Sequence, residues 1–125
     1  MPVKYIVKKQ YNFVNPEQPK YTAQWKSRGE MNIRDISEEL SHASTLTPAD
    51  VAAMMEGLIH VLGHTLARGY LVKLGDFGSF SLSLDAKSQP SEKNVDAATI
   101  NGSRVNFRPG KALKKIMNDI SYSKK

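Results

Sequence analysis

The sequence contains no cysteine, which excludes a disulfide framework, a thiolate zinc site and a cysteine nucleophile. It contains no apolar run near the ~20 residues that a membrane-spanning helix needs. The first ten residues, MPVKYIVKKQ, hold too short an apolar stretch for a signal peptide. We therefore expect a soluble protein that resides in the cytoplasm.

Motifs for catalysis are also missing. GDFG occurs at 75–78, but the chain lacks the glycine-rich phosphate loop and the upstream lysine strand of a kinase. His60 and His64 have the i, i+4 spacing of a helical zinc site, but Val61 stands where a zinc protease has glutamate. We interpret both histidines as surface or second-interface side chains. We expect no enzyme, metal, cofactor or small-molecule substrate.

The chain has 125 residues, the length of one domain, and a net charge of +6. Its positive charge is concentrated at the two ends. Residues 1–30 carry six basic and two acidic side chains, residues 31–69 carry two and five, and residues 70–125 carry ten and five. This segregation favours a surface that binds a polyanion over a generally basic solvated shell.

The first 29 residues alternate like β-strands. Val3, Tyr5 and Val7 share one face, NPEQP at 15–19 breaks the pattern, and alternation resumes from Tyr21 to Trp25. We predict a hairpin with a long loop over residues 1–29. The favoured interpretation is that one strand face packs on the core. The alternative is that Tyr21 and Trp25, among Lys20, Lys26 and Arg28, stack the bases of a single strand.

Two helices follow. Asn32 is the predicted N-cap of the first, whose apolar residues recur at helical spacing from Ile33. Thr47 caps the second, with Pro48 at its first position and Asp50 at its third, and Gly69 ends it.

The apolar side chains of the second helix spread over about 160°, wider than the ~100° that seats a helix on one core. A second copy of the chain is the expected cover, so we predict a homodimer. The wide arc consists of Val51, Met54, Met55, Leu58, Ile59, Val61, Leu62 and Leu66.

The C-terminal half predicts a hairpin, a connection, a strand and a helix. Residues 71–74 and 79–84 are β-rich and flank the GDFG turn. Residues 85–103 are polar and lack alternation, so we expect a long exposed connection with one helical turn capped by Ser91 and ending near Gly102. Residues 104–108 form a last short strand, and a helix follows Gly110.

The stretch FRPGKALKK at 107–115 predicts an anion site. A Pro-Gly break leaves the first amides of the next helix unpaired, and such amides bind anions. Lys111, Lys114 and Lys115 near that end oppose the helix dipole when the site is empty, and a bound phosphate reverses the sign of this effect.

Two blocks together resemble the bacterial histone-like family of HU and integration host factor. They are LGDFGSFSL at 74–82 and VNFRPGKALKKIMND at 105–119, after a pair of helices, and the resemblance covers roughly residues 32–120. It implies an α+β fold, an intertwined dimer with a helical base and a β-sheet that extends two arms around double-stranded DNA.

The resemblance also implies site residues. Body contacts to DNA phosphates come from Lys73, Gly78, Arg108, Gly110, Lys111, Lys114 and Lys115. Arm contacts come from Lys87, Pro90, Lys93 and Arg104, and in this family an arm-tip proline wedges between base steps. The implied dimer interface contains Met55, Leu58, Leu62, Leu66, Phe77 and Phe80.

The sequence departs from the family in two places. Residues 1–29 have no counterpart in the basic form, which indicates a subgroup in which a β extension precedes a DNA-binding unit of residues 30–125. The arm has Pro90 as its only proline, followed by Glu92 and Asp96. We expect a nucleoid-associated protein that binds DNA largely independently of sequence, with bending left open. The alternative is a protein-assembly module on the same fold with weak or no DNA binding.

Overall fold

The computed structural model describes residues 2–125. The strands are β1 (Val3–Gln10), β2 (Lys20–Trp25), β3 (Val72–Lys73), β4 (Gly78–Ala86), β5 (Ile100–Pro109) and β6 (Tyr122–Lys124). The helices are α1 (Ile33–His42), α2 (Pro48–Ala67) and α3 (Lys111–Asn118), and two 3₁₀ turns occupy Glu92–Asn94 and Ala97–Thr99. The mixed α+β architecture expected from the sequence is confirmed.

A three-stranded sheet, which we call the terminal sheet, joins the two ends of the chain in the order β2-β1-β6. The predicted N-terminal hairpin is confirmed, because β1 and β2 pair antiparallel from Tyr5↔Trp25 to Gln10↔Lys20. Strand β6 pairs parallel with β1, with Val3 opposite Tyr122, and was not predicted. Lys124 therefore lies in a strand.

The aromatic face of the terminal sheet is not packed on a core. Trp25 is 71% exposed and Tyr21 is 64% exposed, and every residue of β2 is exposed. The expectation that this face is buried was wrong. Alternation shows that the two faces of a strand differ, but it does not show that another element of the same chain covers either face.

Both predicted helix starts are confirmed as reciprocal capping boxes. The Asn32 Oδ1 accepts from the Asp35 amide at 3.0 Å, and the Asp35 carboxylate accepts from the Asn32 amide at 3.1 Å. Thr47 and Asp50 make the same pair of bonds at 3.1 and 3.2 Å. Each cap is worth about 1 kcal/mol. Helix α2 ends at Ala67 with Arg68 as its C-cap, and Gly69 follows with a φ of 92°.

The hydrophobic core within one chain is very small. Val51 and Leu66 are the only buried apolar side chains among residues 2–125, with 1% and 3% exposure. The chain exposes 10814 Å² of surface, whereas a compact monomer of this length exposes about 6,700 Å². The roughly 4,000 Å² excess is far more than surface side chains account for, so the folded chain needs a cover from outside.

The second sheet, which we call the arm sheet, has the order β3-β4-β5. Its last strand is longer than predicted, since β5 starts at Ile100 rather than Arg104, and β4 runs to Ala86 with a register shift at Asp85. The polar residues 100–103 therefore continue the ladder. The expected single helical turn is instead two short 3₁₀ turns, and the Ser91 side chain makes no capping bond.

The two histidines of α2 lie side by side at the surface, with ring centroids 4.5 Å apart. No group of three or more potential ligands within residues 2–125 is placed to hold a metal ion. In the same part of the chain, no helix has both the length and the apolar character that crossing a bilayer requires.

Candidate nucleic-acid interface

The arm sheet has one polar, cationic face. Strand register places Lys73, Ser79 and Arg108 in one row across β3, β4 and β5. The same face continues along the arm with the Ser81–Asn106 and Ser83–Arg104 pairs. Two arginines and a lysine are therefore interleaved with short polar side chains, which is the composition that phosphate contacts use.

The opposite face of the arm sheet is apolar. Val72, Phe80 and Phe107 form the matching row, and Leu82 pairs with Val105 farther along. The Phe80 and Phe107 rings lie 4.9 Å apart, and Phe77 lies 5.6 Å from Phe107. Phe77 and Phe107 are nevertheless 57% and 44% exposed. This face is the one that requires a cover.

The local sequence explains this division. In β4 the run SFSLSL alternates serine with phenylalanine or leucine, so period-2 geometry sends each class to its own face. Strand β5 does the same with Arg104, Asn106 and Arg108 against Val105 and Phe107. Four members of the polar face were missed in the sequence analysis, namely Ser79, Ser81, Ser83 and Asn106. The alternation in β4 and β5 is the signal that could have identified them.

The start of α3 is fixed against the turn that precedes β4. The Gly110 amide donates to the Phe77 carbonyl at 3.0 Å. A Cβ at Gly110 would collide with the Asp76 backbone carbonyl, so only glycine permits this approach. The two sequence blocks that carry the family resemblance therefore meet in space at this contact.

The first turn of α3 presents unpaired amides. Gly110 is its N-cap and provides no side-chain bond, which leaves the amides of Lys111, Ala112 and Leu113 without a helical partner. At 100° per residue, the three lysines of the helix fall within about 100° of one another, opposite its apolar side chains. Those lysines, Lys111, Lys114 and Lys115, are all exposed.

The two clefts beside these groups have no carboxylate side chain in their linings. A cleft of about 240 Å³ is lined by Lys73, Gly78, Arg108 and Gly110, and a neighbouring cleft of about 540 Å³ also reaches Asn106. Within residues 2–125 the only ion pair joins Arg34 to Glu38 of α1 at 3.8 Å. The cations of the arm sheet and of α3 are therefore free to meet an external anion.

The outer part of the arm is electrically mixed. Lys87, Pro90 and Lys93 are exposed, and the Lys87 amide donates to the Thr99 carbonyl at 3.2 Å. Glu92 and Asp96 share this segment. The structure thus groups Lys73, Gly78, Arg108 and Gly110 at one cleft, with Arg104 on the same sheet face. Lys87, Pro90 and Lys93 are not part of that group.

The residues expected at a dimer interface differ in exposure. Leu66 is already buried within the chain, at 3% exposure. Met55, Leu62 and Phe80 are half-buried. Leu58 and Phe77 are 37% and 57% exposed and are the ones most in need of a cover.

Comparison with known proteins relates this geometry to one family. Residues 1–124 match the HU-HIG family model, described as an HU domain fused to wHTH, Ig, or Glycine-rich motif. Integration host factor subunit alpha from Actinobacillus succinogenes is 35% identical over 83 residues, 64% of this chain and 84% of its own length. Integration host factor subunit beta from Aeromonas hydrophila is 32% identical over 91 residues, 70% of this chain and 97% of its own.

A solved structure shares the fold. It comes from Bacteroides vulgatus ATCC 8482, is described as that of a candidate bacterial DNA binding protein, and matches with a TM-score of 0.70 at 16% identity. The match covers 98% of this chain, which spans only 47% of that longer protein. At this identity the likeness shows a common fold.

Proposed function

Because the chain belongs to the HU-HIG family of HU-domain proteins, we propose that it is an architectural, nucleoid-associated protein, not an enzyme, that binds double-stranded DNA through the phosphate backbone. The observation that carries the proposal is the row of Lys73, Ser79 and Arg108 beside the open N-terminus of α3, at a cleft whose lining contains no carboxylate side chain. Cations, hydroxyls and helix amides are the groups that bind phosphates without reading bases.

Binding of this kind is governed by counterion release. Each phosphate neutralised by a lysine or arginine releases condensed counterions, so six contacts give a log–log salt slope of about −5. We infer that body contacts come from Lys73, Gly78, Arg108, Gly110, Lys111, Lys114 and Lys115. Arm contacts come from Lys87, Pro90, Lys93 and Arg104. Affinity varies little with sequence, because phosphates carry no base identity.

The partner that covers the apolar surfaces is, we propose, a second copy of the chain. The apolar face of the arm sheet and the exposed side of α2 both lack a cover within residues 2–125, and a two-fold dimer covers both at once. A dimer also doubles the cationic face. The curated relatives are named as alpha and beta subunits, so a different HU-domain chain is the competing occupant.

The boundary between the two parts of the molecule is also a proposal. Residues 1–29 form the extension and residues 30–125 form the DNA-binding unit, but β6 pairs with β1, so residues 122–124 belong structurally to the extension. We place the protein in the nucleoid of the cytoplasm, where duplex DNA is available.

The decisive experiment removes the cationic row. The double variant Lys73→Gln/Arg108→Gln is expected to weaken binding to all duplexes alike and to make the salt slope about 2 less steep, measured by anisotropy with labelled duplex. The matched control is Lys8→Gln/Lys20→Gln, which removes two charges from the terminal sheet. Unchanged affinity in the first variant, or an equal loss in the control, would contradict the proposal.

A protein-assembly module is the second candidate, favoured by the exposed aromatic face of the terminal sheet. Size-exclusion chromatography with and without DNA, on the full chain and on a chain starting at Gly29, separates the two. Duplex-dependent complexes that persist without residues 1–28 support DNA binding. Assembly that needs residues 1–28 and ignores DNA supports the module.

A further inference from the structure

The terminal sheet has an aromatic face and no negative charge. Register places Tyr5 between Trp25 and Lys124 in one row, with Tyr21 opposite Lys9 at the other end of β2 and Tyr122 beside Val3. Trp25, Tyr21 and Tyr122 are 71%, 64% and 67% exposed. These rings are therefore largely open to solvent and do not fill a core within residues 2–125.

The charge on this sheet is entirely positive. Its three strands contain five lysines and neither aspartate nor glutamate. Register places Lys9 and Lys124 on the aromatic face, and Lys4, Lys8 and Lys20 on the opposite face. A cleft of about 540 Å³ at its end is lined by Trp25 together with Lys4, Lys26, Arg28 and Lys125. An indole ring that borders four cationic side chains suits a ligand with both an aromatic ring and a phosphate.

We propose that this face binds an unpaired DNA strand, with bases stacked on Trp25 and Tyr21 and phosphates held by Lys9, Lys124 and Arg28. Exposed aromatic platforms in a positive groove are how proteins hold single strands without reading sequence, because every base offers a π-face. A duplex keeps its bases stacked on one another and does not offer them to a flat sheet. The site is therefore separate from the proposed duplex-binding face.

The spacing of the rings suits an extended strand. Tyr21 and Trp25 are four residues apart on β2, which corresponds to about 13 Å along the strand. Two stacking positions at that distance, with Val7 and Ala23 between them and Lys9 beside Tyr21, contact separate nucleotides of one chain. The choice of DNA over RNA rests on the proposed function, since the rest of the molecule is proposed to lie on DNA.

A direct test uses the fluorescence of Trp25, the only tryptophan in the sequence. Titration of the full chain with an oligothymidylate of about 15 nucleotides, near the upper end of known stacking sites, is expected to quench this fluorescence. An abasic strand of equal length and a blunt duplex are expected to quench it far less. Equal quenching by the abasic strand would show that the phosphates alone account for binding, and it would overturn the stacking proposal.

Variants of β2 supply the second test, read by anisotropy of labelled oligothymidylate. Trp25→Ala and Tyr21→Ala are each expected to weaken binding about 5- to 150-fold. Thr22→Ala/Gln24→Ala, on the opposite face of the same strand, is the matched control and is expected to leave binding unchanged. Equal losses in the control, or none in the aromatic variants, would refute the proposal.

Two further experiments distinguish an unpaired DNA strand from the competing occupants of this face. Tighter binding of an RNA of the same length and sequence type overturns the assignment to DNA. Shielding of Trp25 from acrylamide in the free protein, with restored accessibility on dilution, shows that a second copy covers the face and overturns single-strand binding. Blunt-duplex affinity measured on the same samples tests the proposed function independently. A failure of single-strand binding therefore does not contradict duplex binding, and the reverse also holds.

Discussion

The Gly110 amide donates a hydrogen bond to the Phe77 carbonyl at 3.0 Å, and this bond joins the start of α3 to the turn before β4. It places the unpaired amides of the helix at the cleft lined by Lys73 and Arg108. The glycine is needed there because the Asp76 backbone fills the space of a Cβ. Packing and phosphate binding therefore depend on the same contact.

Gly110→Ala is expected to destabilise the protein by about 1–3 kcal/mol, since the added methyl group overpacks the turn. Thermal unfolding at one fixed protein concentration measures this. Gly102→Ala is the control, because nothing lies within 4 Å of a Cβ built there. Equal melting temperatures for the two variants would contradict the assigned role of the contact.

Replacing Lys111, Lys114 and Lys115 with glutamine is expected to make the salt slope of duplex binding about 3 less steep, because each lysine accounts for about 0.9 of a released counterion. The loss should be the same for duplexes of different sequence. Anisotropy across a salt series measures both quantities. A loss confined to one sequence would show that these side chains read bases instead of phosphates.

Leu58→Arg is expected to dissociate the proposed dimer, since the charged side chain would be buried in an apolar contact without a partner. Sedimentation velocity should then show a species of half the mass. Glu56→Arg is the control, because Glu56 lies outside the apolar arc of α2 and is exposed. An unchanged mass for Leu58→Arg would exclude this side of the helix from the interface.

Ser37→Ala is expected to leave stability unchanged or to raise it. Ser37 is 2% exposed and its hydroxyl has no hydrogen-bond partner within the described chain. Removing a buried hydroxyl that makes no bond relieves a desolvation cost of about 1–3 kcal/mol and leaves only a small void. Urea unfolding provides the measurement, and a loss above about 1 kcal/mol would indicate a partner for this hydroxyl in the assembled protein.

Features set by neighbouring residues could be predicted from the sequence. The caps at Asn32 and Thr47 and the break at Gly110 are local, since each depends on side chains within three or four positions. The resemblance carried by residues 74–82 and 105–119 then predicted that the cationic residues lie near one another. The start of β5 at Ile100 was missed because polar residues and a glycine obscure a strand that cross-strand pairing with β4 maintains.

Features set by distant residues could not be predicted. Strand β6 has three residues, too few for a detectable alternation, and it exists because β1 offers a free edge. The exposure of Trp25 and Tyr21 depends on whether any element covers them, which is a property of the whole fold. The serines of the polar face were overlooked because single hydroxyls show no function until their strand register is known.

The pairing of β6 with β1 closes a loop that contains nearly every other residue of the chain. Closing so long a loop costs more chain entropy than closing the hairpin, so we expect the third strand to join after the hairpin and the helices have formed. We therefore expect β6 to be the first strand of the terminal sheet to detach when the protein unfolds.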